Sequence, residues 1–494
     1  MPIVPKPNHC SLGTGEFVAE DAHLQAKITR EINADALPPQ GYTLTVTPQG
    51  ICLCGGSAQG LFYAEQSLAQ LRRRYGERMP CFEIRDEPAL GYRGFMIDCC
   101  RHFFPIDNLK KMIRAAAAFK LNVFHWHLTE DQGWRIAIDA YPKLAEVGSV
   151  RPYSKFGRTY EEGTYGGCYS KDDIREIVAF CAEHYIDVIP EFEIPGHASA
   201  MLAAYPELSC TKEPVAIKTG GGVYPDVLCA GNEMVYPFIF TVLDEMMALF
   251  PYEYFHIGGD EAPKKNWREC PQCQAKILAQ GLPGEAALQG CMTNRVAEYL
   301  RAHGKTAIVW NDALKGGNID KDITVQYWVG KPESCKAHAA RGGKVIVSEF
   351  FHYYLDYSYG QCPLEKTYSY EPQTLFDSPD TVLGAEAPIW TEYIPDLDKM
   401  AYMAWPRLAA LAETCWTQAA QKNYPGFEQR LSRQLLLFSE NGLAIAPRRD
   451  WNPSRGQKVR MQTKFWSNTV TWSGAKMVRN QIRESRKEKK QDKS

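Results

Sequence analysis

Two adjacent carboxylates, Asp260 and Glu261, follow a short apolar run and a pair of glycines. The apolar run, with Tyr254, Phe255 and Ile257, favours a strand, and the glycines leave room for a ligand to approach the backbone. Neighbouring side chains at the end of a strand point in different directions, so the two acids can take different roles on one substrate. The stretch is therefore a candidate site, with a strand-to-loop turn whose acids face water as the simpler alternative.

Eight apolar runs, of which this is the fourth, alternate with longer connecting segments. They are residues 95–99, 122–128, 186–194, 254–258, 306–310, 324–328, 344–348 and 382–389. Most connections are amphipathic and long enough for a helix, and residues 109–119 are the clearest example. This alternation predicts an α/β fold, a (β/α)8 TIM barrel whose active site lies at the carboxyl ends of the strands.

The residues that follow the runs suit a neutral polyol such as a sugar. They include Arg101, Glu130, His197, Trp310, Trp328, Tyr354, Asp356, Trp390 and Glu392. Tryptophan rings pack on the apolar CH faces of a sugar, while its hydroxyls need directional donors and acceptors. Each tryptophan alone is more simply explained as part of the core, but three of them at strand ends indicate a sugar site.

Five motifs at these strand ends resemble those of the β-N-acetylhexosaminidases of glycoside hydrolase family twenty. They are residues 101–104, 125–134, 191–197, 256–261 and 390–392, and they occur in that family's order. The N-terminal unit also resembles the family's small α/β domain, through residues 60–68. The resemblance implies a retaining, exo-acting enzyme that removes terminal β-linked N-acetylglucosamine, and N-acetylgalactosamine as a second candidate, from glycans.

The resemblance also implies a role for each candidate residue. In this family the 2-acetamido oxygen of the substrate attacks the anomeric carbon and forms an oxazolinium ion. Glu261 is then expected to transfer the protons, Asp260 to orient the acetamido group and Tyr354 to donate to its oxygen. The implied substrate-binding residues are Arg101, Asp356 and Glu392 for ring hydroxyls, Trp310, Trp328 and Trp390 around the acetamido group, and His197 with Glu130 behind the acid. Glu130 stands where many members have aspartate.

Two functions of other classes fit parts of the sequence. His125 and His127 lie on one face of a predicted strand, as in metal-dependent amidohydrolase barrels, although Trp126 between them offers no ligand. A sugar-binding barrel that has lost catalysis is the second alternative, and the intact acids argue against it. The sequence thus predicts a glycan with a terminal N-acetylhexosamine as partner, and neither a metal nor a cofactor.

Composition and charge exclude several classes of protein. The 494 residues carry 56 basic and 58 acidic side chains, so no global charge favours nucleic acid. No segment approaches the roughly 20 apolar residues of a membrane span, and the first residues lack the pattern of a signal peptide. We therefore expect a cytoplasmic protein with no nucleic-acid or membrane partner, unless an export signal has been removed; the oligomeric state is not predicted.

Three parts are predicted along the chain. Residues 1–87 form a small α/β domain with a hairpin at 41–54, a helix that begins after Ser57 and ends at Gly76, and a strand at 81–85. Residues 88–450 form the catalytic barrel. Residues 451–494 form a C-terminal extension, partly disordered or helical, which ends in a basic tail at 476–494.

Sixteen cysteines are present, and several lie in apolar runs where free cysteine behaves as a small buried hydrophobe. Free thiols are expected rather than a disulfide framework, because the sequence shows no export signal. Cys270 and Cys273 have the spacing of metal ligands. No second CxxC or histidine pair at finger spacing accompanies them, so a zinc knuckle is not predicted.

Overall fold

A closed barrel of eight parallel strands forms the centre of the chain in the computed structural model, which describes residues 1–18, 27–376 and 379–469. In chain order its strands are Tyr92–Asp98, Val123–His127, Asp187–Glu191, Tyr254–His256, Thr306–Trp310, Thr324–Tyr327, Val345–Val347 and Val382–Ile389. The eighth strand pairs with the first and closes the barrel. The predicted (β/α)8 fold is thus confirmed. The predicted basic tail at 476–494 lies outside the described residues.

Helices surround the barrel. Those that follow the first four and the last three strands are Ile106–Ala118, Lys171–Glu183, Val235–Met247, Glu285–Ala302, Glu333–Ala340, Leu364–Ser369 and Arg407–Trp416. The fifth strand is followed only by the 3-10 helix Asn311–Gly316, so the alternation is incomplete there. Shorter or peripheral α-helices are Lys143–Glu146, Ser199–Ala204, Lys265–Glu269, Pro271–Ala279, Phe350–Tyr353, Leu397–Ala404, Tyr424–Leu431, Leu436–Glu440, Arg448–Trp451 and Arg455–Thr469. Within the described ranges, no helix has the length and apolar character that a membrane span requires.

The connection after the second barrel strand is built from small sheets as well as a helix. Its two-stranded sheets pair Thr129–Glu130 with Gly133–Trp134, Val150–Arg151 with Tyr165–Gly166, and Ser154–Phe156 with Thr159–Glu161. The first of these sheets contains Glu130 and therefore fixes one of the predicted site residues next to the barrel mouth.

A layer of histidine and glutamate side chains crosses the inside of the barrel. Glu191 binds His256 Nδ1 at 2.7 Å and His125 Nε2 at 3.1 Å, and it also contacts His127 Nδ1. The other nitrogen of His125 lies 2.8 Å from Glu386 Oε1. Both ring nitrogens of His125 therefore face carboxylates. Buried ionisable groups need such partners, so each imidazole of this layer is matched by a carboxylate.

A five-stranded sheet precedes the barrel. Its strands lie in the order His9–Val18, Arg78–Asp86, Tyr42–Thr47, Gly50–Gly55 and Ile28–Ile32. The helix Ala58–Tyr75 packs against this sheet; Ser57 caps it by accepting from the Gln59 and Gly60 backbone N–H groups. The predicted hairpin, helix and following strand are present, whereas the strands at 9–18 and 28–32 were not predicted.

Trp416, at the end of a barrel helix, joins this sheet to the barrel. It lies in the hydrophobic core of the sheet, and its Nε1 donates to Asp86 Oδ2 at 2.9 Å. The same oxygen accepts from the Tyr42 hydroxyl at 2.8 Å. The small sheet thus packs against the helix that follows the eighth barrel strand, and it contributes none of the predicted site residues.

Candidate active site

A sharp turn after the fourth barrel strand carries Asp260 and Glu261. Gly258 has a φ of 64°, and a Cβ at this position would lie 1.7 Å from Glu193 Oε2, so only glycine fits there. Glu261 itself has a φ of 41°, a sparsely populated conformation that is enriched at active sites. The turn leaves Asp260 buried and the Glu261 side chain 25% exposed.

His197 links the two acids to Glu130. Its Nδ1 lies 2.7 Å from Glu130 Oε1 and 3.2 Å from Asp131 Oδ2, while its Nε2 lies 3.5 Å from Asp260 Oδ2 and 3.8 Å from Glu261 Oε2. Burial lowers the pKa of His197, but Glu130 and Asp260 outweigh this effect and hold the pKa well above its usual range. A cationic His197 therefore lies next to both acids, and the Glu130 carboxylate contacts it directly.

Asp260 keeps one oxygen available. Its Oδ1 is buried and has no hydrogen-bond partner among the residues that the structure describes. A buried carboxylate oxygen without a partner is costly unless a ligand supplies the donor. The geometry therefore indicates that a donor N–H or O–H of a substrate binds to Asp260 Oδ1.

Glu261 is adapted to proton transfer. Burial raises the pKa of its carboxyl to about 7, with the nearby charges of Asp260 and Asp312 acting in the same direction and His197 and Arg101 opposing them. A carboxyl group with this pKa is protonated in a large fraction of molecules near neutral pH and can also accept a proton.

Aromatic rings form one wall of the site. Trp328 stacks on Tyr354 with ring centroids 5.8 Å apart, Tyr354 lies 6.5 Å from Trp390, and Trp390 lies 6.0 Å from Trp310. Trp328 is fixed by a 2.8 Å hydrogen bond from its Nε1 to Asp312 Oδ2. Burial raises the pKa of Tyr354 well above its usual range, and Asp260 adds to this, so the hydroxyl remains a donor.

Arg101 is held by carboxylates from three parts of the chain. Its guanidinium lies 2.9 Å from Glu130 Oε2, 3.1 Å from Asp98 Oδ2 and 3.2 Å from Glu392 Oε1. It also lies over the Trp390 ring, 5.0 Å from the centroid. Burial lowers the pKa of Arg101, but these carboxylates raise it well above its usual range. The side chain is therefore a rigid cation at the mouth of the barrel.

Asp356 and Glu392 lie together at the edge of a cavity of about 790 Å³. Burial raises the pKa of both carboxyls, and Glu392 adds to the effect on Asp356. Lys464 and Phe465 of the helix Arg455–Thr469 line the same cavity. The C-terminal extension thus contributes to the rim of the site, which the sequence did not predict.

The structure brings all eleven predicted site residues to the carboxyl end of the barrel, and it adds others that the sequence reasoning missed. Asp98 is the last residue of the first strand and Asp312 follows the fifth, so their positions alone could have identified them. Asp131 is adjacent to Glu130. Glu193 is buried, and within the described ranges neither of its carboxyl oxygens has a hydrogen-bond partner.

Comparison with known proteins agrees with this site. Residues 90–419 match the family model for the glycosyl hydrolase family 20 catalytic domain, and residues 19–87 match its domain 2. A β-hexosaminidase of Porphyromonas gingivalis is 39% identical over 457 residues, which cover 86% of this chain but 58% of that protein. A β-hexosaminidase of Akkermansia muciniphila is 33% identical over 457 residues, covering 88% of this chain and 90% of the relative.

Solved structures agree as well. A β-N-acetylhexosaminidase crystal structure has a TM-score of 0.82 and 31% identity, with 89% of this chain and 95% of that chain covered. The exo-β-N-acetylglucosaminidase of Vibrio harveyi has a TM-score of 0.80 and 30% identity, with coverage of 90% and 78%. The chain therefore belongs to glycosyl hydrolase family 20 and is a glycoside hydrolase.

Proposed function

We propose that this family 20 chain is a retaining exo-β-N-acetylhexosaminidase that removes terminal β-linked N-acetylglucosamine from glycans, with N-acetylgalactosamine as a second candidate substrate. The observation that carries the proposal is Asp260 Oδ1, a buried acceptor without a partner in the described part of the chain, next to Glu261 and inside an aromatic wall. An acetamido N–H is the donor that such a site fits. The Vibrio harveyi neighbour is described in complex with N-acetylglucosamine, which supports this choice.

In the first step the acetamido oxygen of the substrate is the nucleophile. Asp260 accepts from the acetamido N–H and Tyr354 donates to the acetamido oxygen, so that this oxygen is held close to the anomeric carbon. Holding the acetamido oxygen and the anomeric carbon in this geometry lowers the entropic part of the activation barrier. As the oxygen attacks, Glu261 donates its proton to the glycosidic oxygen, the bond to the leaving group breaks and an oxazolinium ion forms.

In the second step water opens the oxazolinium ion. Glu261, now ionised, accepts a proton from the water as its oxygen attacks the anomeric carbon. Two inversions at this carbon give a product with the same β configuration as the substrate. The negative charge of Asp260 stabilises the positive charge of the intermediate, which makes Asp260 an electrostatic partner and not a nucleophile.

The remaining side chains account for exo action on a terminal sugar. Arg101, Asp356 and Glu392 form a group of hydrogen-bond donors and acceptors at one side of the aromatic wall. Such groups bind the free ring hydroxyls of a non-reducing sugar. His197 and Glu130 do not need to touch the sugar; they orient the acids and set their charge.

The function is tested with matched aryl glycosides. We expect hydrolysis of the nitrophenyl β-N-acetylglucosaminide, and a parallel assay with the N-acetylgalactosaminide shows whether the second candidate sugar is also a substrate. The nitrophenyl β-glucoside, which lacks the acetamido group, should not be hydrolysed. Proton NMR of the first product formed should show the β anomer. An α anomer, or equal hydrolysis of the glucoside, would refute substrate assistance, and binding of N-acetylglucosamine without turnover would support the non-catalytic alternative.

The pH dependence should follow Glu261. Because the acid must be protonated to assist departure of the leaving group, kcat/KM is expected to fall as the pH rises through about 7. Asp312 raises the pKa of Glu261, so Asp312→Asn should move this alkaline limb to lower pH. Profiles should be measured with a disaccharide, whose poor leaving group needs the acid. An unchanged limb in this variant would contradict the assignment of Glu261 as the titrating group.

A further inference from the structure

Four cysteines from separate parts of the chain meet at one point. They are Cys210, Cys229, Cys270 and Cys273. The Sγ of Cys229 lies 3.6 Å from that of Cys273 and 3.7 Å from that of Cys270, and the Sγ atoms of Cys210 and Cys273 are 3.8 Å apart. All four sulfur atoms lie within 4.8 Å of one another, and three of the four residues are buried.

These distances exclude a disulfide and fit four thiolates around one metal ion. A disulfide would bring two sulfurs to about 2.05 Å. In a tetrahedral zinc site with Zn–S bonds of about 2.3 Å, neighbouring sulfurs lie about 3.8 Å apart. The three Sγ–Sγ separations of 3.6, 3.7 and 3.8 Å are close to the edge length of such a tetrahedron. We propose that Cys210, Cys229, Cys270 and Cys273 bind one structural Zn²⁺ ion.

The backbone around the cluster favours thiolates. Cys270 occupies the position before the first residue of the helix Pro271–Ala279, and Cys273 lies in its first turn. The partial positive charge at a helix amino terminus stabilises thiolate ligands. A Cβ at Gly231 would lie 2.4 Å from the Cys273 backbone nitrogen, so the segment after Cys229 packs directly against the Cys270–Cys273 turn. Four sulfurs complete a tetrahedral shell and leave no position for substrate, which indicates a structural ion.

The ion would cross-link two loops of the active site, those that follow the third and the fourth barrel strands. Cys210 and Cys229 enclose the loop 211–228, which follows the third barrel strand. Lys218 of this loop donates its backbone N–H to the Asp131 backbone oxygen at 3.0 Å, and Gly220 O accepts from the Gln132 side chain at 2.7 Å. Cys270 and Cys273 follow the turn that carries Glu261. The four ligands therefore connect the segment beside Glu130 and His197 to the segment of the acid.

Sequence spacing could not reveal this site. Residues 270 and 273 are a CxxC pair, but the other two ligands, Cys210 and Cys229, are separated by 18 intervening residues and belong to a different barrel connection. Zinc knuckles are recognised by two closely spaced ligand pairs. Here the second pair is formed only when the third and fourth barrel strands bring their loops together.

Metal analysis of the purified full chain tests the proposal. After expression with zinc and purification without chelators, elemental analysis should find about one zinc per chain. Replacing the metal with Co²⁺ should give a sulfur-to-cobalt charge-transfer band and strong visible absorption, both typical of a tetrahedral tetrathiolate. Wild-type protein that binds no zinc, or a disulfide between any two of the four cysteines in the mass spectrum of the peptides, would overturn the proposal.

Two variants locate the metal. Cys273→Ser should lower the zinc content at least several-fold and reduce Tm, because a ligand to the ion is lost. Cys291→Ser is the matched control: Cys291 is a half-buried thiol on the helix Glu285–Ala302, outside the cluster, and this variant should retain its zinc. Equal zinc content in the two variants would refute the assigned ligands. If Cys273→Ser does not fold, the zinc content and the cobalt spectrum of the wild-type chain still decide the question.

Discussion

Glu261→Gln is expected to lower kcat on N-acetylglucosaminides by about 10²–10⁴-fold, the usual contribution of a general acid and base. Glutamine has nearly the same shape and fills the same half-buried position, but it can neither donate a proton to the leaving group nor accept one from water. The loss should be larger with a disaccharide than with a nitrophenyl glycoside, because nitrophenolate leaves without a proton. Steady-state kinetics with both substrates measure this difference.

A stability measurement distinguishes a loss of catalysis from a loss of folded protein in this variant. The folded-state pKa of Glu261 is about 7, above the ordinary 4.5, so the folded chain binds more protons than the unfolded chain between these values. The stability of the wild type therefore falls as the pH rises through this window. Glu261→Gln removes the free-energy cost of ionising this carboxyl in the folded state. The variant should therefore be more stable than the wild type at pH 8, by at most about 3 kcal/mol.

The same comparison at low pH supplies the control. Below about pH 4 the wild-type carboxyl is neutral in both the folded and the unfolded state, so the stability difference should disappear. Thermal unfolding of both proteins at pH 4 and pH 8 measures it. A folded Glu261→Gln variant with near-normal activity on the disaccharide would contradict the assigned role.

The barrel could be predicted from sequence because its strands are buried on both faces. Such strands appear as continuous apolar runs, and the predicted run at 306–310 coincides with the fifth strand, Thr306–Trp310. The strand at His9–Val18 was missed for the opposite reason. Nine of its ten residues are exposed, so it has no apolar alternation, and its pairing with Arg78–Asp86 comes from tertiary structure.

The C-terminal helix is a second element that could not be predicted from sequence. Arg455–Thr469 contains no fully buried residue and has no continuous apolar face, so residues 451–494 show no helical period. In the folded chain Phe465 packs against Tyr357 and Tyr393, with ring centroids 5.3 and 6.1 Å apart, and Gln462 donates to the Gly360 backbone oxygen at 2.9 Å. The helix is thus held by contacts with loops that the sequence places about 70 to 100 residues away.

The roles within the site could be predicted only in part. The acids at strand ends were identifiable, but the environment that gives Asp260 and Glu261 different roles comes from residues on other strands. His197 reaches both acids with one ring nitrogen, while Glu130 and Asp131 hold the other. These distances depend on the closure of the barrel. Sequence spacing contains no information about them.

Asp260→Asn is expected to lower kcat by about 10²–10³-fold with a small change in KM. Asparagine can still accept a hydrogen bond from the acetamido N–H, so binding of the ground state should largely survive. The negative charge is lost, and that charge acts mainly when positive charge develops on the oxazolinium ion. Because Asp260 is buried and lies 3.5 Å from His197, little solvent screens this interaction. Kinetics at the pH optimum of the variant measure the effect.

Asp312→Asn is the matched comparison for Asp260→Asn. Both substitutions remove a negative charge that raises the pKa of Glu261, so both should move the alkaline limb of kcat/KM to lower pH. Only Asp260 has a buried oxygen that is free to bind the acetamido group, since Asp312 Oδ2 accepts from Trp328 Nε1 at 2.8 Å. The pH-independent plateau of kcat should therefore fall at least tenfold further in Asp260→Asn. Equal plateaus would mean that Asp260 acts only through the pKa of Glu261, and the substrate-assisted role of Asp260 would then be wrong.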